Sequence, residues 1–442
     1  MPTSQIEYFG RVAEGVPPLA VRAGDFVFFA GGIAVHPIKG MPDEVKPHPA
    51  YPYHVTQIER ESRNIYETML RALEAAGSSM QNVMRINSFV VNDDDIHVYQ
   101  GLKKDYFGAE TPPCSTRCMI PATAVPGTCV TNDVIALRLD AELPRIAVHK
   151  DTEKTPVPIH DKLYGHPQYM QAIRGGGFIF TEGKTGAEVP TGDRAERKYR
   201  CFEEVSGFPG FPYHNNQAKL RTEFVLNYFE AILNNMGASL QHVVKAEVCK
   251  VDRRDIAGVD DVWRRFFPTD PPARSIPPSR IQLPLRYVEI DLIAVDPKGP
   301  YCKETVSTSN APEPLGHQPQ AIKAGPFMFI SGQMATDYKH GLALEARVDS
   351  NFPYYSSPIK KQVEYILKNV EAICQAAGTS VENLVRRRAI HSDLSELADA
   401  EEVWREALGD RLPPTTIFAT TEQPAIPGCT VEYDLIAFIP NE

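Results

Sequence analysis

The chain has 442 residues, of which 43% are hydrophobic and 23% charged, and its formal net charge is −10. That length holds about three domains of ordinary size, each large enough for its own core. A net negative charge, with no basic tract beyond Arg386-Arg387-Arg388, excludes the broad cationic footprint of a nucleic-acid binder; those three arginines read as a solvated face.

In chain order, an apolar strand, FVFFAGGIA, comes first and ends in Gly31. A long loop with Pro-Tyr53 leads into a helix that closes on ALEAAGSSMQNV, with Gly77 as the natural helix stop. A strand and a second helix follow, then a Pro-Pro pair in ETPPCSTR and a strand TCVTNDVIALRL, dense in β-branched residues. The same order returns as FIFTEGKTG, FPYHNNQ, AILNNMGASLQHV, TDPPARSI and RYVEIDLIAV. It returns again as FMFISGQMA, FPYYSSP, AICQAAGTSVENL, RLPPTTIF and CTVEYDLIAFI. The helix-ending glycines Gly77, Gly237 and Gly378 lie 160 and 141 residues apart. A fixed order at a near-constant period means one folding unit used three times.

The resulting division is a first repeat over 1–142, a linker over 143–163, a second repeat over 164–297, a linker over 298–315 and a third repeat over 316–442. The two linkers are rich in Pro, Lys, Glu, Thr and Ser. Strands and helices mixed in this order predict an α+β layer, one mostly antiparallel sheet with two helices on one face. In the third repeat Val363, Ile366, Val370 and Ile373 recur at helical spacing.

Tyr53, Tyr213 and Tyr354 stand in register; they read as packing tyrosines, with a pocket role as the alternative. The loop before the second repeat's helix is the longest, 28 residues from Gly183 to Phe211 against 20 in the other two copies, which suits a binding loop. The N-terminal MPTSQIEYFG has neither the basic lead nor the apolar core of a signal peptide, and no segment approaches a membrane span. The eight cysteines are scattered without a Cys-x-x-Cys pair, which suits a reducing compartment and neither a disulfide framework nor a zinc site. The expected location is cytoplasmic.

Four features together resemble the RidA/YjgF family of reactive-intermediate deaminases. They are Ser331-Gly332-Gln333 after a strand, the Ala-Ala-Gly-Ser/Thr turn after the first helix, PPARS over 271–275, and VEIDLIAV over 288–295. The resemblance implies chorismate-mutase-like units that assemble as trimers, sheets inward and helices outward, with ligand clefts between subunits. One chain would then mimic a whole trimer, as a monomer or a further homodimer. It also implies site residues. Arg274 would hold a substrate carboxylate and Glu289 or Glu432 would direct water. Tyr169, Gly183, Glu182, Ser331 and Gly332 would complete the site, and Asp260 falls at the family's polar helix position.

The arginine becomes Ser115 in the first repeat and Thr416 in the third, and the glutamate becomes Thr131 in the first. Arg117, two residues beyond Ser115, shares its strand face and is a candidate displaced cation. Lys184, beside Gly183, is a candidate second cation or Schiff-base amine. Asp133, Asp291 and Asp434 recur in all repeats and read as structural, bonding neighbouring backbone or an arginine of another lobe. Cys114 and Cys118 read as inert.

The function these residues imply is a hydrolase acting on a C–N bond (imine, enamine or cyclic amide) of a small carboxylated metabolite. It would need no cofactor or metal, and no nucleic acid or membrane would be involved. The alternatives are a chorismatase-like hydrolase or lyase and a non-catalytic small-acid binding protein. RNA cleavage, sometimes attributed to the family, is disfavoured by the charge.

Overall fold

The computed structural model describes residues 5–52, 54–152, 154–155, 157, 165–186, 214–250, 252–279 and 288–440. Tyr53, Tyr213 and most of the 183–211 loop lie outside the described residues. The first repeat contains β1 (Glu7–Phe9), β2 (Ala20–Ala23), β3 (Phe26–Gly32), α1 (Gln57–Ala75), β4 (Val83–Val90), α2 (Ile96–Phe107), β5 (Cys114–Met119) and β6 (Val130–Leu137). The second contains β7 (Ile146–Val148), β8 (Ala172–Gly175), β9 (Phe178–Thr181), β10 (Lys184–Thr185), α3 (His214–Asn235), β11 (Val243–Lys250), α4 (Ile256–Phe266), β12 (Ala273–Ser275) and β13 (Val288–Val295). The third contains β14 (Lys303–Val306), β15 (Ala321–Ala324), β16 (Phe327–Ile330), α5 (Pro358–Ala376), β17 (Leu384–His391), α6 (Leu397–Leu408), β18 (Thr415–Ala419) and β19 (Val431–Phe438).

Each repeat builds one sheet, in the orders β1-β2-β3-β6-β4-β5, β7-β8-β9-β13-β11-β12 and β14-β15-β16-β19-β17-β18. The edge pairs β4–β5, β11–β12 and β17–β18 are parallel, because α2, α4 and α6 each make the crossover that parallel neighbours need. The segments read as linkers supply β7 and β14, each pairing antiparallel with the sheet of the repeat that follows it.

Helix α5 begins with Pro358 at its first turn, buries Val363, Ile366, Val370 and Ile373, and stops before Gly378. Gly378 takes φ +80°, as Gly77 takes +78° and Gly237 +75°; that left-handed turn is why glycine stands there three times.

Alternation along each strand divides two cores. In β3, Val27 and Phe29 pack under α1 and α2, whereas Phe26 and Phe28 point the other way into a cluster shared by all three sheets. There Phe26, Phe178 and Phe327 close a triangle with ring centroids 5.8, 5.7 and 6.2 Å apart. The three units therefore form a pseudo-trimer within one chain, with sheets inward and helices outward.

A bulge recurs at Val83/Arg85, Val243/Lys245 and Leu384/Arg386. The extra residue re-aims the strand, so an apolar residue of the axial cluster (Met84, Val244 or Val385) is followed at once by an axial cation. The pseudo-axis buries four cations, Arg85, Lys245, Arg386 and Arg388, with four anions, Asp133, Glu247, Asp291 and Asp434. Arg85 bonds Asp291 at 2.6 Å, Lys245 bonds Asp434 at 2.6 Å, and Arg388 spans Asp133 at 2.5 Å and Glu247. Burial alone would raise the Asp434 carboxyl; Lys245 and Arg386 outweigh it and hold it far below the usual range. The recurring aspartates thus bond cations of other lobes.

The arginine run departs from the sequence reading. Arg386, Arg387 and Arg388 are 0%, 0% and 3% exposed, because a strand that faces the axis on one side and helices on the other leaves no solvated face.

Candidate active site

Each sheet's last edge strand lies against the strand-ending glycine of the next repeat, so three clefts follow the order first–second, second–third, third–first. In the second–third cleft, Gly332 N–H donates to Arg274 O at 3.0 Å and Arg274 N–H donates to Ser331 Oγ at 3.1 Å. A Cβ on Gly332 would overlap Glu432 Oε1, so the bare glycine is what seats that carboxyl. Ile276 N–H donates to Glu432 Oε1 at 3.1 Å, while Glu432 Oε2 is buried and unpartnered. Burial pushes the Glu432 carboxyl up to about 7, against the pull of the Ile276 N–H.

Arg274 is 1% exposed. Its Nε donates to Gln318 Oε1 at 3.0 Å, its Nη2 to Asp260 Oδ1 at 2.5 Å, and its guanidinium lies 5.0 Å from the Trp263 ring. Arg274 and Glu432, from different repeats, border one cavity of about 410 Å³, with Ile276, Leu315, Met334, Ile426 and Tyr338 among its walls. A longer groove of about 1120 Å³ shares Leu315, Gln318 and Tyr338 with it. This cleft can grip a polar acceptor at one wall and move a proton at the other.

The first–second cleft uses the same backbone contact, Gly183 N–H to Ser115 O at 3.0 Å. A Cβ on Gly183 would lie 2.6 Å from Glu289 Oε1. Glu289 therefore belongs with Ser115, and the structure separates it from Arg274. Lys103 occupies the helix position that holds Trp263 and Trp404 elsewhere, is 2% exposed, and donates to Ser115 Oγ at 2.6 Å. Burial, then the charge of Arg117, lowers the Lys103 amine well below its ordinary value. Glu182 is buried and accepts from the Tyr228 hydroxyl, Lys184 sits half-buried 4.1 Å from the Tyr228 ring, and Tyr169 is half-buried.

In the third–first cleft, Gly31 N–H donates to Thr416 Oγ1 at 3.0 Å. Arg387, from the neighbouring strand, holds Glu401 by two bonds of 2.8 and 2.5 Å. Thr131 stands at the glutamate position. So Arg274 and Glu432 come together with Ser331 and Gly332, while Gly183 and Glu289 meet Ser115 at a junction whose arginine is gone; Glu182, Lys184 and Tyr169 group around Tyr228, and Arg117 lies on β5 near Lys103.

Sequence reasoning missed Tyr338 and Lys103. Tyr338 is a wall residue held at φ +55°; the matching AVHPIKGM loop of the first repeat has Pro37 at that position, so no recurring residue type flagged it. Lys103 could have been found from the Trp263 and Trp404 register. Tyr354, a candidate packing or pocket tyrosine, is 97% exposed, because its loop ends outside both cores. Cys114 and Cys118 are buried, and burial pushes the Cys114 thiol up. Among the described residues no group of three or more His, Cys, Asp or Glu side chains is placed to hold a metal ion, and no helix is long and apolar enough to cross a membrane.

A family model described as Endoribonuclease L-PSP matches three times, at residues 16–137, 160–296 and 308–439. A RutC family protein of Pyrococcus horikoshii is 32% identical over 136 residues, covering 31% of this chain and 98% of that protein. Reactive Intermediate Deaminase A of Arabidopsis thaliana, chloroplastic, is 32% identical over 102 residues, covering 23% of this chain and 49% of that protein. Among solved structures, RidA from an Antarctic Psychrobacter is 30% identical, covers 31% of this chain and 99% of its own, and has a TM-score of 0.26.

Proposed function

The chain belongs to the endoribonuclease L-PSP family, the RidA/YjgF group, in three tandem copies, and from that premise we propose that it is a cofactor-independent hydrolase of a C–N bond in a small imine, enamine or cyclic amide. The site is the second–third cleft. One observation carries the reading: Arg274 and Glu432 border a single cavity of about 410 Å³.

Arg274 Nη1 holds an acceptor of the substrate. Glu432 exists in both protonation states near neutrality, so it gives a proton to the substrate nitrogen and takes one from the attacking water. Water adds to the carbon of the C=N bond, the tetrahedral adduct loses the nitrogen as ammonia or amine, and a carbonyl remains. The family description names a ribonuclease. A net charge of −10, and an arginine run consumed in the interior, speak against RNA as the substrate here.

Ammonia release from 2-iminopropionate, generated in solution, tests the assignment. Glu432→Gln is expected to lower turnover by about 100-fold or more, as removal of a general acid–base does. Glu289→Gln is expected to stay near wild type. Loss of turnover in Glu289→Gln with Glu432→Gln unaffected would refute it.

A further inference from the structure

The arginine of the second–third cleft is already engaged. Its Nε is taken by Gln318 Oε1 and its Nη2 by Asp260 Oδ1, which leaves Nη1 as the buried unpartnered nitrogen. A carboxylate is best recognised by a guanidinium whose charge is free to meet it; here the Asp260 carboxylate already neutralises that charge. Asp260 is itself fixed. It accepts from His317 N–H at 3.3 Å and from Arg264 at 3.2 Å, and Arg274 outweighs burial to hold its carboxyl below the ordinary value. Gly316 closes over the pair; a Cβ there would lie 2.9 Å from Arg274 Nη2 and 3.7 Å from Asp260 Oδ1.

The third–first cleft repeats the device. Arg387 is neutralised by Glu401, which stands at the same position on α6 as Asp260 on α4. Across the cavity, Glu432 Oε2 is the second buried unpartnered atom. Between the two lie Ile276, Leu315, Met334 and Ile426; the remaining cations, Arg253 and Arg254, are exposed, and Arg254 pairs with Asp252.

We propose that this cleft selects an uncharged carbonyl compound, an amide or lactam, over the matching carboxylate, with Asp260 as the specificity-determining residue. The proposal rests on the reading that the second–third cleft is the ligand site. A carbonyl oxygen accepts the single bond from Nη1 and an amide N–H reaches Glu432 Oε2, so both orphaned atoms are satisfied. A carboxylate at Nη1 meets a guanidinium already neutralised and the Asp260 charge beside it. This departs from the carboxylate anchor that the family resemblance implies.

The test is a ligand-observed NMR titration of the full chain with isobutyramide and isobutyrate, which match in shape and differ in charge. Wild type is expected to bind the amide at least about tenfold tighter. In Asp260→Asn the freed guanidinium is expected to improve isobutyrate by about tenfold, and Arg274→Met is expected to abolish the preference. Equal or tighter binding of isobutyrate by wild type overturns the proposal, as does binding of neither probe up to about 100 mM. The wild-type ratio decides even if Asp260→Asn does not fold. The outcome is separable from the hydrolase reading: a tenfold amide preference with no hydrolysis of 2-iminopropionate, of a neutral imine or of a lactam would refute the hydrolase and leave the selectivity. Turnover of imino carboxylates with a KM unchanged in Asp260→Asn would do the reverse.

Discussion

At the scale of single residues, Glu432 shows how burial raises the proton affinity of a carboxyl at the expense of stability. Its folded value, about 7, lies above the ordinary carboxyl value of 4.5, so the fold disfavours its ionised form. Its contribution is fully present below pH 4.5, shrinks as pH rises between 4.5 and 7, and is lost above 7. Glu432→Gln is therefore expected to be more stable than wild type at pH 8, by about 3 kcal/mol, with the gap closing towards pH 5. Denaturant unfolding at the two pH values checks this, and a pH-independent difference would contradict it. The sequence pointed to Arg274, Glu289 and Glu432 through motif register alone. It could not say which glutamate the arginine meets, because the answer depends on which repeat stands next to which in space.

At the scale of elements, the β4, β11 and β17 strands carry the assembly. All three begin with the same bulge and an axial cation at the same position (Arg85, Lys245 or Arg386), and then differ at the next axial position, which holds Asn87, Glu247 and Arg388. Asn87 Nδ2 donates to Glu247 at 3.2 Å, and Arg388 bonds the same carboxylate and Asp133. Three identical strands could not do this. Removing one partner of such a buried pair leaves an uncompensated charge in a medium that solvates it poorly. Arg388→Met is expected to cost about 3–5 kcal/mol in urea unfolding, with the exposed Arg253→Met as a control near zero. A cost below about 1 kcal/mol would sink the view that these charges hold the lobes together. Strand and helix patterns were legible here from period and β-branching. The burial of Arg386-Arg387-Arg388 was not, since a charge run looks solvated until both faces of its strand are known to be covered.

At the scale of the whole molecule, the four axial cations and four axial anions balance because the extra cation of the third repeat meets the extra anion of the second, while Arg85 and Asp133 of the first offset each other. A closed trimer of the third repeat alone would bury three each of Arg386 and Arg388 against three of Asp434, twice as many cations as anions. Residues 316–442 by themselves are accordingly expected not to form a compact homotrimer, whereas the full chain is expected to elute with a light-scattering mass near one or two times 49.2 kDa. A stable trimer of 316–442, or a trimer of full chains, would refute the closed pseudo-trimer.

The sequence by itself determined the triplication, the α+β unit, the helix stops at Gly77, Gly237 and Gly378, and the list of residues from which a site is drawn. These are local properties of spacing, backbone freedom and side-chain chemistry. The tertiary structure decided that Arg274 shares a cavity with Glu432, that Asp260 and Gln318 already bond its guanidinium, and that Asp133 faces Arg388, 255 residues away. Those pairings join separate repeats across an axis, and burial then sets the proton affinity and charge balance that no one-dimensional pattern records.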